Sequence, residues 1–285
     1  MAEILLGAPV YEKIMEDVKA RCRKLKLAGT HPKMALIRLG DREDDKSYER
    51  NIERVCAKAD IITEKHLLPR DISQDELVKL IHKLNNDDTV HGIMMFRPLP
   101  KHMNETFVCQ QLLPQKDIDG ITDASIASVF LGRGEGFAPC TAQACVQMLD
   151  HYNIPIAGKR AVIIGRSLVV GRPLSMMLLC RDATVTICHT KTKNMAEICR
   201  SADILIAAAG KARLVNEEFL SDRQVIIDVG FNVDEEGNVS GDVAFDIAEP
   251  FVTAISPVPA GVGGITARLL AMHVIEAATT AQKAR

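Results

Sequence analysis

The chain has 285 residues, of which 47% are hydrophobic, and a formal net charge of −2. That length suits one large domain or two of ordinary size, and the near-neutral balance gives no electrostatic reason to expect nucleic acid or an anionic membrane as partner. No run approaches the roughly 18 consecutive apolar residues of a membrane span, the N-terminus lacks the basic start and apolar run of a secretory signal, and the eight cysteines form no CxxC pair or zinc-finger spacing, so a cytoplasmic protein without disulfides or a metal is expected.

Val10 to Leu27 reads as a helix, because Ile14, Val18 and Cys22 recur at four-residue steps with Met15 beside them. Its basic residues between Lys19 and Lys26 read as a solvated face. Gly29 and Pro32 end the helix. Met34 to Leu39 (MALIRL) reads as a buried strand closed by a turn at Gly40-Asp41. A helix over Lys46–Ala59, a strand over Ile61–Leu68, a helix over Gln74–Leu84 and a strand over Val90–Phe96 follow.

A second alternating run starts after Ile154-Pro155. It comprises a strand at Arg160–Gly165, a helix from Arg172, a strand at Ala183–Cys188, a helix at Met195–Ser201, and strands at Asp203–Ala208 and Gln224–Val229. Strands separated by helices imply parallel βαβ units, so the fold class is α/β with two domains. A last helix, Gly264 to Thr280, is long enough to pack back on the first domain. The expected boundaries are 1–140, 141–268 and the returning helix 269–285.

In RAVIIGRSLVVGRP, Gly165 directly follows a strand and Gly171 stands where a helix begins. Glycines there let backbone approach a phosphate at a helix N-terminus, although the spacing is not G-x-G-x-x-G and a purely structural turn explains two glycines nearly as well. The next strand ends in Cys188-His189-Thr190-Lys191-Thr192, without the acidic residue that binds a ribose 2′-hydroxyl in NAD-selective sites. Lys191, with Arg166 in the first turn, suits a 2′-phosphate, which favours NADP over NAD; the alternative is that Lys191 and Lys193 are ordinary exposed lysines.

GRSLVVGRP, TVTICHTKT, ADILIAAAGK, VIIDVG, SGDV and SPVPAGVGGIT, preceded by HGIMMFRPLP, PQKDIDGIT and PCTAQA, resemble in order the motifs of the bifunctional methylenetetrahydrofolate dehydrogenase/cyclohydrolase family. The resemblance covers nearly the whole chain. It implies an N-terminal α/β folate domain, a Rossmann-type NADP domain, an active site in the cleft between them, and a homodimer acting on a tetrahydrofolate one-carbon substrate. It also implies that Tyr48 and Asp119 line the folate site, with Met95 beside them, and that Pro257, Gly261 and Gly263 form a loop near pterin and nicotinamide. Arg97, an unusual residue at that strand end, is a candidate substrate contact with three open readings: a hydrogen-bond donor in the pocket, a partner for the folate's carboxylates, or a solvent-facing side chain. Gly165, Arg166, Ser167, Gly171, Thr190, Lys191 and the Val229-Gly230 turn are then the cofactor contacts.

The departures bear on the chemistry. The family pattern Ser-x-x-Tyr-x-x-x-Lys reads here Asp45, Tyr48 and Ile52, and the glutamine that accompanies the lysine is Phe96. Neither Lys46 nor Lys58 has the spacing from Tyr48 to replace the missing amine. Ala142 and Ala144 in PCTAQA, Ala260 for glycine and Gly264-Ile265 for Pro-Met are smaller departures. Hydride removal from the methylene carbon needs no obligatory general base, whereas hydrolysis of the methenyl cation needs a positioned acid/base group worth about 10²–10⁴-fold. The expectation is a dehydrogenase with weak or absent cyclohydrolase activity. The alternatives are a fully bifunctional enzyme and a non-catalytic folate- or nucleotide-binding relative.

Overall fold

The computed structural model describes residues 1–283. In chain order these form β1 (Glu3–Ile4), α1 (Gly7–Leu27), β2 (Lys33–Leu39), α2 (Glu43–Lys58), β3 (Ile62–Leu68), α3 (Gln74–Asn85), β4 (Gly92–Met95), α4 (Glu105–Cys109), α5 (Asp123–Leu131) and α6 (Cys140–His151). Then come β5 (Arg160–Ile164), α7 (Gly171–Leu179), β6 (Thr184–Cys188), α8 (Met195–Arg200), β7 (Ile204–Ala207), β8 (Val225–Asp228), the hairpin β9 (Asn232–Val233) and β10 (Val239–Ser240), α9 (Phe245–Ala248), β11 (Ala254–Ile255) and α10 (Gly263–Lys283). They divide into two compact units: Met1–Glu12 with Pro139–Thr266, and Lys13–Ala138 with the residues from Ala267 onward.

The first unit is a six-stranded parallel sheet in the order β1-β11-β8-β7-β5-β6. The strands read from the sequence are all present, each trimmed by one or two residues. The two outer positions were not anticipated. β1 and β11 are two residues each, too short to show a period, and they pair at Glu3↔Ala254 and Ile4↔Ile255 across 250 residues of chain. Val162, Ile164, Leu205, Ile226 and Ile255 make the core of one sheet face with Phe219 and Val252.

The second unit holds a three-stranded parallel sheet, β3-β2-β4, with Ile37 opposite His66 on one side and Met95 on the other. Alternation in MALIRL sends Ala35, Ile37 and Leu39 into a cluster with Ile93, Met95 and the α3 residues Leu77, Ile81 and Leu84. α3 opens on a reciprocal Ser73–Glu76 capping box. At its other end Lys116 Nζ donates to the main-chain oxygens of Leu84, Asn85 and Asp87 at 2.9, 2.8 and 2.8 Å, satisfying carbonyls the helix cannot.

α10 packs on α1, where Arg21 Nη1 lies 3.2 Å from Met272 Sδ and 3.6 Å from Glu276. Deeper in the same helix, His273 stacks on Phe137 and its Nδ1 lies 2.7 Å from the Ile118 oxygen. Burial pushes this imidazole below its ordinary pKa, so the neutral ring donates to that carbonyl. All eight cysteines are free thiols, and seven are buried as small apolar groups. No described helix is long and apolar enough to cross a membrane.

Candidate active site

In an open α/β sheet, ligands bind beyond the carboxyl ends of the strands. In the second unit α2 starts there, after the Gly40–Arg42 turn, with Glu43, Asp44 and Asp45 in its first turn facing the positive end of the helix dipole. Asp45, where the resemblance led us to expect a serine, sits 3.9 Å from Arg42. Tyr48 is half-buried, and its ring meets Phe96 edge-on at 6.2 Å between centroids. Ile52, one turn further along the same helix face, is 0% exposed, and Phe96 is 5% exposed. The two positions where the resemblance led us to expect an amine and an amide are therefore filled by packed hydrocarbon. Lys46 is occupied with Glu43 at 3.2 Å and Asp41 at 3.6 Å, and Lys58 is exposed at the helix end.

Between Tyr48 and Ile52 lies a feature that the patterns did not predict. Glu49, 6% exposed, accepts from Arg38 Nε at 2.7 Å and lies 3.6 Å from Lys65. Arg38 also donates to the Gly40 oxygen and to Asp41 at 3.0 Å. One guanidinium thus ties the end of β2, the turn after it and the face of α2 that carries Tyr48. The visible signal was the arginine inside an otherwise apolar strand.

At the end of β4, Met95 turns into the α3-side cluster while Phe96 turns to the α2 side. Arg97 follows, joined to Pro98 by a cis peptide and lying 3.7 Å from Glu105, whose other oxygen accepts from the Leu99 N–H at 2.7 Å. The two carboxylates of KDIDG have different surroundings. Asp117 is fully buried and accepts from the Ile121 and Thr122 N–H groups at 3.0 and 2.8 Å and from Ser125 Oγ at 2.7 Å. Asp119 remains partly exposed.

In the first unit the turn from β5 to α7 carries Gly165, at φ +127°, and Gly171. A Cβ on Gly165 would run into the Ala208 carbonyl, and one on Gly171 into the carbonyl of Gly165 itself. The chain's own backbone therefore already requires both glycines, and phosphate approach is not needed to explain them. Arg166 and Ser167 are exposed in that turn. Ser167 shapes the start of α7, accepting from the Val170 N–H through Oγ at 3.1 Å and from the Arg172 N–H through its carbonyl at 3.0 Å. At the end of the adjacent strand, Thr190 and Lys191 are exposed in a turn closed by Thr192 Oγ1 and His189 Nδ1.

Two buried carboxylates organise the neighbouring loops. Asp228 accepts from the N–H groups of Gly230, Asp242 and Val243 at 2.8, 3.0 and 2.9 Å. Asp242 accepts from Ala209, Gly210 and Lys211 at 2.6, 2.8 and 2.9 Å. A Cβ on Gly230 would strike Asp242, which explains the glycine in the Val229-Gly230 turn. Desolvation outweighs the three donors on Asp228 and pushes its pKa up to about 6. A raised carboxyl pKa contributes stability that is present below the unfolded value and lost as pH rises through 6. Asp228→Asn is expected to cost about 2 kcal/mol, because an amide nitrogen must then face an N–H donor. By denaturant titration, the wild-type advantage over Asp228→Asn should be larger at pH 4.5 than at pH 7.5 by up to roughly 2 kcal/mol.

The segment holding Pro257, Gly261 and Gly263 is closed onto the start of α1: the Gly7 N–H donates to the Ala260 oxygen at 2.8 Å, and a Cβ on Gly7 would overlap Gly261. Gly263 has open space at its Cβ position. Ala260 stands at φ +82°, a left-handed conformation that costs a residue with a Cβ about 1 kcal/mol. Ala260→Gly should recover that amount, offset in part by unfolded-chain entropy, and appear as a raised denaturation midpoint at unchanged m-value.

Two family models match this chain: tetrahydrofolate dehydrogenase/cyclohydrolase, catalytic domain, over residues 5–119, and the NAD(P)-binding domain of the same family over residues 139–282. The chain belongs to the tetrahydrofolate dehydrogenase/cyclohydrolase family. Among relatives of this family, the bifunctional protein FolD of Clostridioides difficile is 46% identical over 275 residues, 96% of each chain. Among solved structures, the bifunctional FolD of Campylobacter jejuni superimposes with a TM-score of 0.96 at 36% identity, over 98% of this chain and 99% of that one. The Trypanosoma brucei dehydrogenase-cyclohydrolase, complexed with NADP and an inhibitor, does so with a TM-score of 0.93 at 29% identity, over 99% of each chain. The family's NAD(P)-binding domain covers five of the six strands of the larger sheet, all but β1, together with most of α10, and its catalytic domain covers the segment holding Tyr48, Ile52, Phe96 and Asp119.

Proposed function

We propose that this protein oxidises 5,10-methylenetetrahydrofolate to 5,10-methenyltetrahydrofolate with NADP, and that its methenyltetrahydrofolate cyclohydrolase activity is weak or absent. The observation that carries the second half is the apolar filling at Ile52 and Phe96, both buried beside Tyr48. NADP supplies the hydride acceptor when bound. The residues present suit it: α7 offers a helix N-terminus after Gly165, and Arg166, Ser167, Thr190 and Lys191 present N–H, hydroxyl and cationic groups at the ends of adjacent strands.

Tyr48 and Asp119 are the groups we assign to the pterin, with Asp119 accepting hydrogen bonds from the ring and Tyr48 packing against it. Arg97 is assigned to the same pocket, and Met95 contributes through its backbone position. The loop of Pro257, Gly261 and Gly263 is assigned to the pterin and nicotinamide. Dehydrogenation asks these groups only to hold the methylene carbon within about 3–3.5 Å of its acceptor, because the folate nitrogens supply the electron push. Hydrolysis asks for a titratable group beside the carbon, and isoleucine and phenylalanine have none.

The decisive experiment follows NADP reduction on methylenetetrahydrofolate and, separately, decay of authentic methenyltetrahydrofolate. We expect hydrolysis slower than dehydrogenation by two or more orders of magnitude. Comparable rates would establish the second reading, a fully bifunctional enzyme, which the names of the FolD relatives favour. No NADP reduction would leave a non-catalytic binder. Assembly as a cytosolic homodimer is part of the proposal, and a monomer by light scattering would remove that part.

A further inference from the structure

We propose that Asp242 is a positioning residue for the nicotinamide half of NADP: it fixes the loop 208–211, one wall of the crevice that takes the dinucleotide. The proposal rests on the cofactor assignment above. In the six-stranded sheet the chain goes from β5 to β6 on one side, then returns to β7 on the other, so the strand order reverses at β5. In an open α/β sheet the crevice at such a reversal receives the dinucleotide. Here it lies between the turn after β5, with Gly165 and Arg166, and the loop after β7. The two walls touch. The Ala208 N–H donates to the Ile164 oxygen at 2.9 Å, and the Ala208 carbonyl fills the space a Gly165 side chain would need. A shift of the loop therefore reshapes the turn that faces the phosphates.

Three successive N–H groups, those of Ala209, Gly210 and Lys211, converge on the Asp242 carboxylate, which also accepts from Asn232 Nδ2 at 3.0 Å. Such a run of N–H groups makes an anion-binding concavity, and here the protein's own carboxylate occupies it. Asp242 is 0% exposed, so these donors replace water around its charge. It is anchored from behind as well. Its N–H donates to Asp228 at 3.0 Å, and its carbonyl accepts from the Val215 N–H at 2.9 Å, beside the Val215–Val243 bridge. The carboxylate thus ties the loop after β7 to the Val229-Gly230 turn through Asp228. The turn of Thr190 and Lys191, assigned to the 2′-phosphate, lies beyond β6 on the other side of β5 and is closed by its own Thr192 and His189. With the adenosine half held there, the nicotinamide half extends across β5 toward the loop that Asp242 holds. Asp242 therefore serves one half of the cofactor and not the other.

The test is calorimetric titration of the full-length protein with NADPH, which spans the crevice, and with 2′,5′-ADP, which carries the adenosine half alone. Asp242→Asn keeps the shape but turns an amide N–H toward an N–H donor; it should weaken NADPH about tenfold and leave 2′,5′-ADP within about twofold. Asn232→Ala removes one anchor of the carboxylate from a half-buried site and should weaken NADPH about threefold, again sparing 2′,5′-ADP. Val252→Ala loosens the core of the same unit without touching either loop, and should leave both affinities unchanged. Equal weakening of both ligands by Asp242→Asn would make Asp242 a general structural residue and overturn the proposal, as would an unchanged NADPH affinity. Binding is scored here without turnover, so failure of the dehydrogenase reading does not register in these affinities. A wild type that binds neither ligand would overturn the cofactor assignment and this proposal together.

Discussion

Ile52→Lys on its own is expected to destabilise the protein by about 3 kcal/mol or more while leaving methenyl-folate hydrolysis near the wild-type rate. The position is fully buried, and its neighbours on the inner face of α2 are Val55 and Cys56. The nearest carboxylate on that face, Glu49, is committed to Arg38 and Lys65. An ammonium placed there has no counter-ion and must lose its proton or expel the helix from the sheet. Adding Phe96→Gln supplies an amide acceptor and removes the ring that closes the pocket against Tyr48. The double variant should therefore regain part of the lost stability and raise hydrolysis by about 10²-fold over the single one. Urea titration and loss of methenyl absorbance read the two quantities. A single variant that hydrolyses as fast as the double would show that the amide position is irrelevant.

The βαβ alternation was legible because the inner strands β2, β4, β5 and β7 bury largely apolar runs and the long helices α1 and α3 an apolar stripe at helical spacing, and those periods depend on local sequence alone. What escaped was in part local, the helices α4, α5 and α6, and in part non-local. β1 is two residues whose partners lie 251 positions away, so its membership in the six-stranded sheet has no local signature. Motif reading also located the important loops without sorting the residues within them. Gly165 and Gly171 were read either as making room for phosphate or as a structural turn, and their Cβ positions are filled by the protein's own carbonyls, as the second reading requires. Asp117, Asp228 and Asp242 belong to quoted motifs, and each is consumed by backbone N–H groups. The substitutions at Ile52 and Phe96 were visible in sequence because they break a pattern, and the structure adds that both side chains are sealed from solvent.

Glu49→Ala is expected to cost 3–5 kcal/mol, to order of magnitude, since it leaves the Arg38 guanidinium buried with only Asp41 and a main-chain oxygen to meet it. The guanidinium sits at 6% side-chain exposure, as deep as its partner at 8%, so water cannot replace the lost carboxylate cheaply. Arg38→Leu/Glu49→Leu should recover most of that loss, because apolar residues of similar bulk need no partners there. The coupling energy from the four-variant cycle isolates the pair. If the pair serves to hold Tyr48, the double variant should be stable yet bind methylenetetrahydrofolate less tightly, raising KM more than it lowers kcat. Recovery of stability together with unchanged KM would confine the ion pair to folding. Failure of the double variant to recover would mean that the turn at Gly40–Asp41 depends on Arg38 itself.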